Sequence, residues 1–351
     1  MIKVHFPLGP NAKNQAHRGV GRYHLYLSEA VAKTKGFEVV TQAAQADIVH
    51  YTYFDLFFHT LPIFPGLKKH QRQIVTIHDV IPLVFPEQYR PGKKGSLAFQ
   101  QQLMALKKVD LVITDSLSSQ KDIQQYLKYP LEQIKVVYLA ANPHLQPPSD
   151  SFQAEIKRRY HLNFPYLLYV GDINYNKNIP QLIKAFKFLP DKYHLVCVGK
   201  NFVPQEIPEW QAISQQIDLS EMTKRVHFLP QILGDDADKT LSALYGAAVC
   251  YVQPSLYEGF GLPILEAMQC HTPVVAVNNS SQPEVANKHA LLASDGEALS
   301  LATATKEILA WSPETRSKKI AAAAKYAAKF SWRKVAKDTT QLYQELLGST
   351  L

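Results

Sequence analysis

Two glutamates, Glu258 and Glu266, lie eight positions apart around a Gly-Phe-Gly-Leu-Pro turn. The glycines at 259 and 261 let the backbone approach a ligand closely, and amides at the start of the following helix favour an anion. A carboxylate in the turn can accept hydrogen bonds from ligand hydroxyls. Glu266 is expected in the first helical turn, where the helix dipole tolerates negative charge. A ligand that presents a phosphate to the amides and hydroxyls to the carboxylates is a sugar nucleotide.

The residues around this turn predict the elements that hold it. The run 248–253 before the turn is apolar and rich in β-branched and aromatic side chains, which favours a buried strand. After the turn, Pro263 suits the first position of a helix that continues through Met268. Both glutamates are therefore expected at the carboxyl end of a strand, where open α/β sheets bind their ligands.

Other polar residues also follow predicted strands. Gly19 and Gly21 lie in the segment Arg-Gly-Val-Gly-Arg-Tyr at 18–23, which opens the first helix and could bring amides near a pyrophosphate or a sugar. His78 ends a strand, where hydrogen bonding or charge stabilisation suits it better than the role of a full general base. Ser116 is as well placed to cap the next helix as to contact a ligand.

Charged residues follow two further strands. Lys177 comes shortly after the strand at 166–171 and could offset the charge of a departing nucleoside diphosphate, whereas Asp172 in the same segment could not. Lys200, after Gly199 at the next strand end, is another cation in such a position. The acidic run at 235–238 is interpreted as a loop and helix cap, so that no metal site is predicted.

Apolar strand-like runs alternate with helical runs along the whole chain, which favours parallel sheets covered by helices. A proline-rich polar segment at 142–151 separates two such sets. We predict an α/β fold of two Rossmann-like domains facing across a cleft, at 1–145 and 156–331, joined by a linker at 146–155. The predicted strands are 2–6, 37–40, 48–53, 74–78, 111–114, 136–139, 166–171, 194–199, 226–229, 248–253, 273–277 and 290–292.

The composition, 46% hydrophobic and 19% charged among 351 residues, is that of a soluble globular protein. The chain begins as a strand without the layout of a signal peptide, and no apolar run approaches the roughly twenty residues of a membrane helix. Three scattered cysteines in apolar surroundings indicate a reducing compartment. We therefore expect a cytoplasmic protein.

The net charge of +8 is concentrated in the first 145 residues, which hold 17 Lys or Arg against 10 Asp or Glu. This excess indicates an anionic partner such as a phosphorylated acceptor or an acidic membrane surface. Nucleic acid is not expected, because no recognised binding motif accompanies the charge. The aromatic segment 54–64 could face such a surface, but aromatic stripes are more often core, and we predict that it packs into the first domain.

The segment from Pro254 to Met268 resembles the E-x7-E signature of retaining glycosyltransferases of family 4, which have the GT-B fold. The resemblance extends over nearly the whole chain and is strongest from about 165 to 292. Segment 18–23 is similar to the family's Gly-x-Gly-Arg-Tyr loop, and His78 begins a segment similar to its His-Asp-Leu-Ile-Pro. The family's Gly-Arg-x4-Lys segment is also matched, except that Asp172 stands at the position of the arginine.

By this resemblance Glu258 would hold the donor sugar's hydroxyls, Glu266 the ribose, and Lys177 the diphosphate, with His78 beside the sugar. Lys200 or Arg22 would supply the positive charge that the family's arginine provides. Alternatively, the side chain of Asp172 would point away from the diphosphate. The first domain would bind the acceptor and the second the nucleotide-sugar donor, and the last helix, about 332–351, would pack back on the first domain. The candidate site residues are Gly19, Gly21, His78, Lys177, Gly199, Lys200, Glu258, Gly259, Phe260, Gly261, Leu262 and Glu266, with Arg22, Ser116 and Asp172 as further candidates.

The resemblance implies a retaining hexosyltransferase that moves a sugar from a UDP- or GDP-sugar to an acceptor hydroxyl without a metal or other cofactor. The acceptor would be a sugar, a glycan or a lipid-linked molecule, with peripheral contact to the anionic inner face of the plasma membrane. Two alternatives stay open. One is a sugar-nucleotide epimerase on the same fold, and the other is a binding protein that has lost activity, which Asp172 favours.

Overall fold

The chain forms two units, each built around its own parallel sheet. The computed structural model describes residues 1–7, 19–63, 66, 68, 70–232 and 236–348. The first unit contains Met1–Leu139 and Ser331–Leu351, and the second contains Ala140–Phe330. The C-terminal segment therefore belongs to the same unit as the N-terminus.

The first unit contains a six-stranded parallel sheet of order β2-β1-β3-β4-β5-β6. Its strands are β1 (Ile2–His5), β2 (Phe37–Val40), β3 (Ile48–Tyr51), β4 (Arg72–Thr76), β5 (Leu111–Thr114) and β6 (Ile134–Val136). The helices described between β1 and β6 are α1 (Gly19–Ala32), α2 (Ile81–Val84), α3 (Lys93–Leu106) and α4 (Leu117–Leu127).

The second unit contains a six-stranded parallel sheet of order β12-β11-β10-β7-β8-β9. Its strands are β7 (Tyr166–Val170), β8 (His194–Val198), β9 (Val226–Leu229), β10 (Cys250–Gln253), β11 (Val274–Val277) and β12 (Leu291–Ala293). Its helices are α5 (Asp150–Arg159), α6 (Ile179–Ala185), α7 (Pro208–Leu219), α8 (Ala237–Gly246), α9 (Leu262–Gln269), α10 (Gln282–Ala286), α11 (Ala298–Leu309) and α12 (Pro313–Ala327).

The strand order of the second sheet reverses between β7 and β10. From β7 the chain adds β8 and β9 on one side, and from β10 it adds β11 and β12 on the other. The connections that follow β7 and β10 therefore leave the sheet on either side of a crevice at the carboxyl ends of the strands. Such a topological switch point is where open α/β sheets bind their ligands.

The apolar runs of the sequence explain why these strands form. Every residue of β5, β10 and β11 is buried, as expected of parallel strands that are covered on both faces. All twelve predicted strands are present, with ends displaced by at most three residues. The largest displacement is in β6, where pairing with β5 rather than the apolar pattern sets the ends. Residues 150–155 of the predicted linker belong to helix α5, which Ser149 caps.

The last helix, α13 (Trp332–Leu346), packs within the first unit. Its Trp332 contacts Tyr26 at a ring separation of 5.2 Å, and the hydroxyl of Tyr343 is hydrogen-bonded to Nδ1 of His50 at 2.6 Å. Burial lowers the pKa of His50 to about 3, so its ring is neutral at physiological pH. The helix thereby closes a buried polar network over β3.

The aromatic segment after β3 is largely core. Phe54, Leu56 and Leu61 are buried, which confirms the prediction for them, whereas Phe58 is 65% exposed. Phe64 lies outside the described residues. Among the described helices, none has the length and apolar character required to span a bilayer.

Candidate functional site

Glu258 lies in the loop between β10 and α9, at the switch point of the second sheet. Its residue is only 6% exposed. Oε1 accepts hydrogen bonds from Ser255 Oγ at 2.6 Å and from Gln253 Nε2. The backbone amide of Glu258 donates to Ser280 Oγ at 3.0 Å. These contacts fix a buried carboxylate in one orientation.

Lys177 is paired with this carboxylate from the other side of the switch point. Its Nζ donates to both Oε1 and Oε2 of Glu258 at 2.8 Å. The loops that carry the pair are themselves joined, because the amide of Leu256 donates to the Asn176 carbonyl at 2.8 Å and Asn176 Nδ2 donates to the Tyr257 carbonyl at 2.9 Å. The residues after β7 and β10 therefore form one hydrogen-bonded site.

The ion pair retains capacity for a ligand. Among the described residues, Oε2 of Glu258 accepts only from Lys177, and the ammonium of Lys177 donates only to Glu258. A carboxylate oxygen can accept about two hydrogen bonds, and an ammonium has three donors. The pair can thus accept from a sugar hydroxyl at Glu258 while Lys177 donates to a phosphate oxygen.

The glycine turn brings a helix start to the same loop. Gly261 has φ of +99°, a left-handed conformation that side chains rarely adopt, and helix α9 begins at the next residue, Leu262. Ser281 Oγ donates to the carbonyls of Glu258 and Phe260 at 2.9 Å each, which holds the turn around Gly259. The positive end of the α9 dipole therefore lies next to the ion pair.

Glu266 lies in the second turn of α9, so its predicted place in the first turn is wrong. The helix begins at Leu262 rather than later because the left-handed Gly261 acts as its cap. The helix dipole therefore does not account for the negative charge at Glu266. The side chain is half-buried and accepts a hydrogen bond from the Tyr245 hydroxyl at 3.1 Å, which orients it.

Asp172 follows β7 but is engaged away from the ion pair. Its Oδ1 accepts from Asn201 Nδ2 at 2.5 Å and from the amide of Ile173 at 2.8 Å. The backbones of Gly171 and Gly199 come close at this point, since a Cβ on Gly199 would lie 1.9 Å from the Gly171 carbonyl oxygen. Lys200, beside this contact, is exposed.

In the first unit, Gly19 and Gly21 lie inside the first turn of α1 rather than in a loop before it. Arg22 follows in the same turn and is half-buried, whereas Arg18 lies outside the described residues. The two glycines therefore place amides at a helix start, which suits an anion. Ser116 caps α4 by accepting from the Ser119 amide at 3.0 Å, the structural role that the sequence left open.

His78 pairs with an aspartate that sequence reasoning did not single out. Its Nδ1 donates to Oδ2 of Asp115, at the end of the neighbouring strand β5, at 2.6 Å. The ring of Tyr23 meets His78 edge to face at 4.8 Å. Nε2 of His78 is buried and has no hydrogen-bond partner of standard geometry among the described residues, although the Thr52 backbone lies close enough to favour the charged ring. The ring is therefore oriented mainly through Nδ1.

The electrostatics of this pair favour a charged imidazole. Burial lowers the pKa of His78, but the charge and the hydrogen bond of Asp115, with a smaller contribution from Asp79, outweigh burial and raise that pKa above its ordinary value. Burial in turn raises the pKa of Asp115, against the opposing effect of His78. The direction for His78 follows from a carboxylate 2.6 Å from its ring.

Replacing Asp115 by asparagine is expected to lower the pKa of His78, because the carboxylate that favours the charged ring is removed. NMR titration of the imidazole measures this directly. Since the folded-state pKa exceeds the unfolded one, protonated His78 stabilises the fold below about pH 6.5, and this contribution is lost as pH rises through the folded-state pKa. The control Asp338→Asn, on α13, should leave the titration unchanged. An unaltered pKa in Asp115→Asn would contradict the assignment.

The residues that sequence reasoning missed share one signal, a polar side chain at or just after the end of a buried strand. Asp115 follows β5, Gln253 ends β10, and Ser255 lies two residues later. Asp115 contacts His78 from the neighbouring strand, whereas Gln253 and Ser255 contact Glu258 from the same connection after β10. Within the described part of the chain, no three His, Cys, Asp or Glu side chains converge as a metal site requires. Asp236 of the acidic run caps α8, and Asp235 lies outside the described residues.

Known proteins resemble this chain in sequence and in fold. The model of the family "Glycosyl transferases group 1" matches residues 152–326. The chain is 31% identical over 302 residues to O-antigen chain mannosyltransferase B of Escherichia coli, covering 84% of this chain and 75% of that protein. It is 26% identical over 285 residues to the E. coli serotype-specific mannosyltransferase WbdA, covering 80% of this chain and 34% of WbdA. Sucrose-phosphate synthase from Thermosynechococcus elongatus has the same fold, with a TM-score of 0.74 and 20% identity over 100% of both chains.

Proposed function

The chain belongs to the group 1 glycosyltransferases, and from this membership we propose that it is a retaining enzyme with a nucleotide-sugar donor. It is a glycosyltransferase of the GT-B fold. The finer proposal rests on one observation: the Lys177–Glu258 pair lies at the switch point of the second sheet, beside the start of α9. A cation, a hydroxyl acceptor and a helix N-terminus at one place match the diphosphate and the sugar of such a donor.

We assign roles from this geometry and from the family resemblance. Lys177 and the amides at the start of α9 would take the diphosphate, and Glu258 would take hydroxyls of the transferred sugar. Glu266 would hold the ribose, oriented by Tyr245. By the family resemblance alone, His78 would donate a hydrogen bond from Nε2 to the sugar. Asp172 faces Asn201, so the helix amides would carry more of the diphosphate charge than in relatives with an arginine there.

The proposed reaction is a front-face displacement that needs positioning and charge stabilisation rather than a covalent intermediate. The acceptor oxygen bonds to the anomeric carbon on the face from which the diphosphate leaves. The bond between that carbon and the phosphate oxygen breaks, and the acceptor proton passes to the departing diphosphate. Lys177 offsets the developing negative charge, so that no metal ion is required for departure in this scheme.

The relatives suggest which sugar to test first. The two E. coli relatives are both named mannosyltransferases, and one of these two is named for the O-antigen chain. We therefore propose that the donor is a GDP- or UDP-linked mannose or related hexose. The acceptor would be a sugar, a glycan or a lipid-linked precursor of a surface polysaccharide. We place the protein in the cytoplasm, at or near the inner face of the membrane, where such precursors are elongated.

The test is a thermal-shift screen against UDP, GDP, ADP and their common sugar conjugates, without added metal. A donor at about 100 times its dissociation constant is expected to stabilise the fold by roughly 2.7 kcal/mol, a shift of a few degrees. The variant Glu266→Ala should lose this shift, because the ribose contact is removed, while the exposed control Glu307→Ala keeps it. No shift with any nucleotide from a folded sample would overturn the donor proposal. A shift without release of nucleoside diphosphate would favour the binding-protein alternative.

A further inference from the structure

Helix α3 in the first unit has an exposed face of unusual composition. Residues 88–109 contain five Lys or Arg and no Asp or Glu. Leu97 and Met104 on this helix are 61% and 51% exposed. The nearby Phe58 is 65% exposed. Exposed apolar side chains and basic residues therefore occur together on and next to this helix, in a segment that contains no acidic residue.

The spacing places these residues on one stripe of the helix. Positions 93, 97, 100, 104 and 107 are separated alternately by four and three residues, which aligns them along one side of an α-helix. All five positions are exposed. The stripe has Leu97 and Met104 on either side of Gln100, with a lysine at each end. We call Phe58, Lys93, Lys94, Leu97, Met104, Lys107 and Lys108 the α3 surface.

The α3 surface is held rigidly by its opposite side. Buried Gln102 accepts hydrogen bonds from the amides of Thr60 and Leu61 at 3.1 and 2.9 Å, and its Nε2 donates to the Leu61 carbonyl at 3.0 Å. The amide of Phe58 donates to Asp55 Oδ1 at 3.1 Å. The loop that carries Phe58 is thus fixed against α3, and the exposed side chains are presented by a packed scaffold.

We propose that the α3 surface docks on an anionic lipid bilayer. A helix that lies in the membrane plane can insert Leu97 and Met104 at the headgroup boundary, together with Phe58 of the adjoining loop, while flanking lysines contact acidic headgroups. A second copy of the chain is a poorer occupant, because a two-fold contact through this stripe would bring lysines against lysines. The surface would place the first unit, the acceptor side of a glycosyltransferase, at the lipid boundary.

The test is flotation of the full chain with vesicles of phosphatidylcholine alone and of phosphatidylcholine with an equal part of phosphatidylglycerol. Binding is expected only with the anionic vesicles and should weaken between about 0.1 M and about 1 M salt. Leu97→Gln/Met104→Gln should lower the partition coefficient at least about tenfold, given the apolar area withdrawn from the membrane. Lys93→Gln/Lys94→Gln should lower it about fivefold for each charge removed, at about 1 kcal/mol per lysine.

Matched controls test whether vesicle binding depends on the α3 surface or on exposed apolar and charged side chains elsewhere on the protein. Leu219→Gln/Leu299→Gln changes two leucines of the second unit that are 65% and 60% exposed, and it should not affect binding. Lys33→Gln/Lys35→Gln removes two exposed charges from the first unit away from α3. Absence of vesicle binding, or equal loss in variants and controls, would overturn the proposal. A dimer that the α3 variants dissociate, with no vesicle binding, would assign the surface to self-association instead. No donor is used, so the result is independent of the proposed reaction.

Discussion

Replacing Glu258 by glutamine is expected to lower the rate of sugar transfer by at least about 100-fold. The substitution keeps the shape of the side chain but removes the charge that Lys177 and Ser255 hold in place. A hydroxyl of the donor sugar then loses a charged acceptor, and Lys177 loses its partner in a site only 6% exposed at Glu258. Release of nucleoside diphosphate by transfer to water measures the effect without knowledge of the acceptor.

A double-mutant cycle separates the catalytic role of Glu258 from a structural one. Breaking the pair by Glu258→Gln or Lys177→Met alone should lower the free energy of unfolding by about 1–3 kcal/mol, because one polar partner is left unsatisfied. The double variant should recover part of this stability but none of the activity. The exposed control Glu307→Gln should change neither. Near-normal turnover in a folded Glu258→Gln protein would refute the site assignment.

Replacing Gly199 by alanine is expected to cost roughly 3 kcal/mol or more in the free energy of unfolding. The added Cβ would lie 1.9 Å from the carbonyl oxygen of Gly171, and neither backbone can move without disturbing the ends of β7 and β8. The displaced loop carries Asp172, whose contact with Asn201 would be strained. Urea unfolding followed by circular dichroism measures the loss, and the nucleotide-induced thermal shift should also disappear.

The matched control for this prediction is Gly92→Ala. A Cβ at Gly92 meets no atom within 4 Å, and its φ of −67° is open to any residue. The chemical change is the same, so any difference between the variants reports the contact at Gly199. If both variants unfold at the same urea concentration, the close approach of the two strand ends is not a constraint on the fold.

The candidate site was predictable from sequence wherever local pattern decides. Glu258 and the glycines follow an apolar run that favours a buried strand, and the structure has this strand as β10. Glu266 falls in the second turn because α9 begins one residue earlier than predicted, at Leu262 after the left-handed Gly261. The sequence showed that an aspartate, Asp172, stands where the family has an arginine. Its hydrogen bond to Asn201 could not be predicted, because Asn201 lies 29 residues away in another loop.

By itself the sequence determined the elements and the side of the sheet on which polar residues gather, because hydrophobic periodicity and strand ends are local properties. Tertiary structure alone decided which of these residues meet. Lys177 and Glu258 are separated by 81 positions, and they pair because β10 lies beside β7 rather than beside β9. His78 meets Asp115 for the same reason, since β4 and β5 are neighbours. Strand order follows from how all the helices cover the sheet, which is a property of the packed chain as a whole.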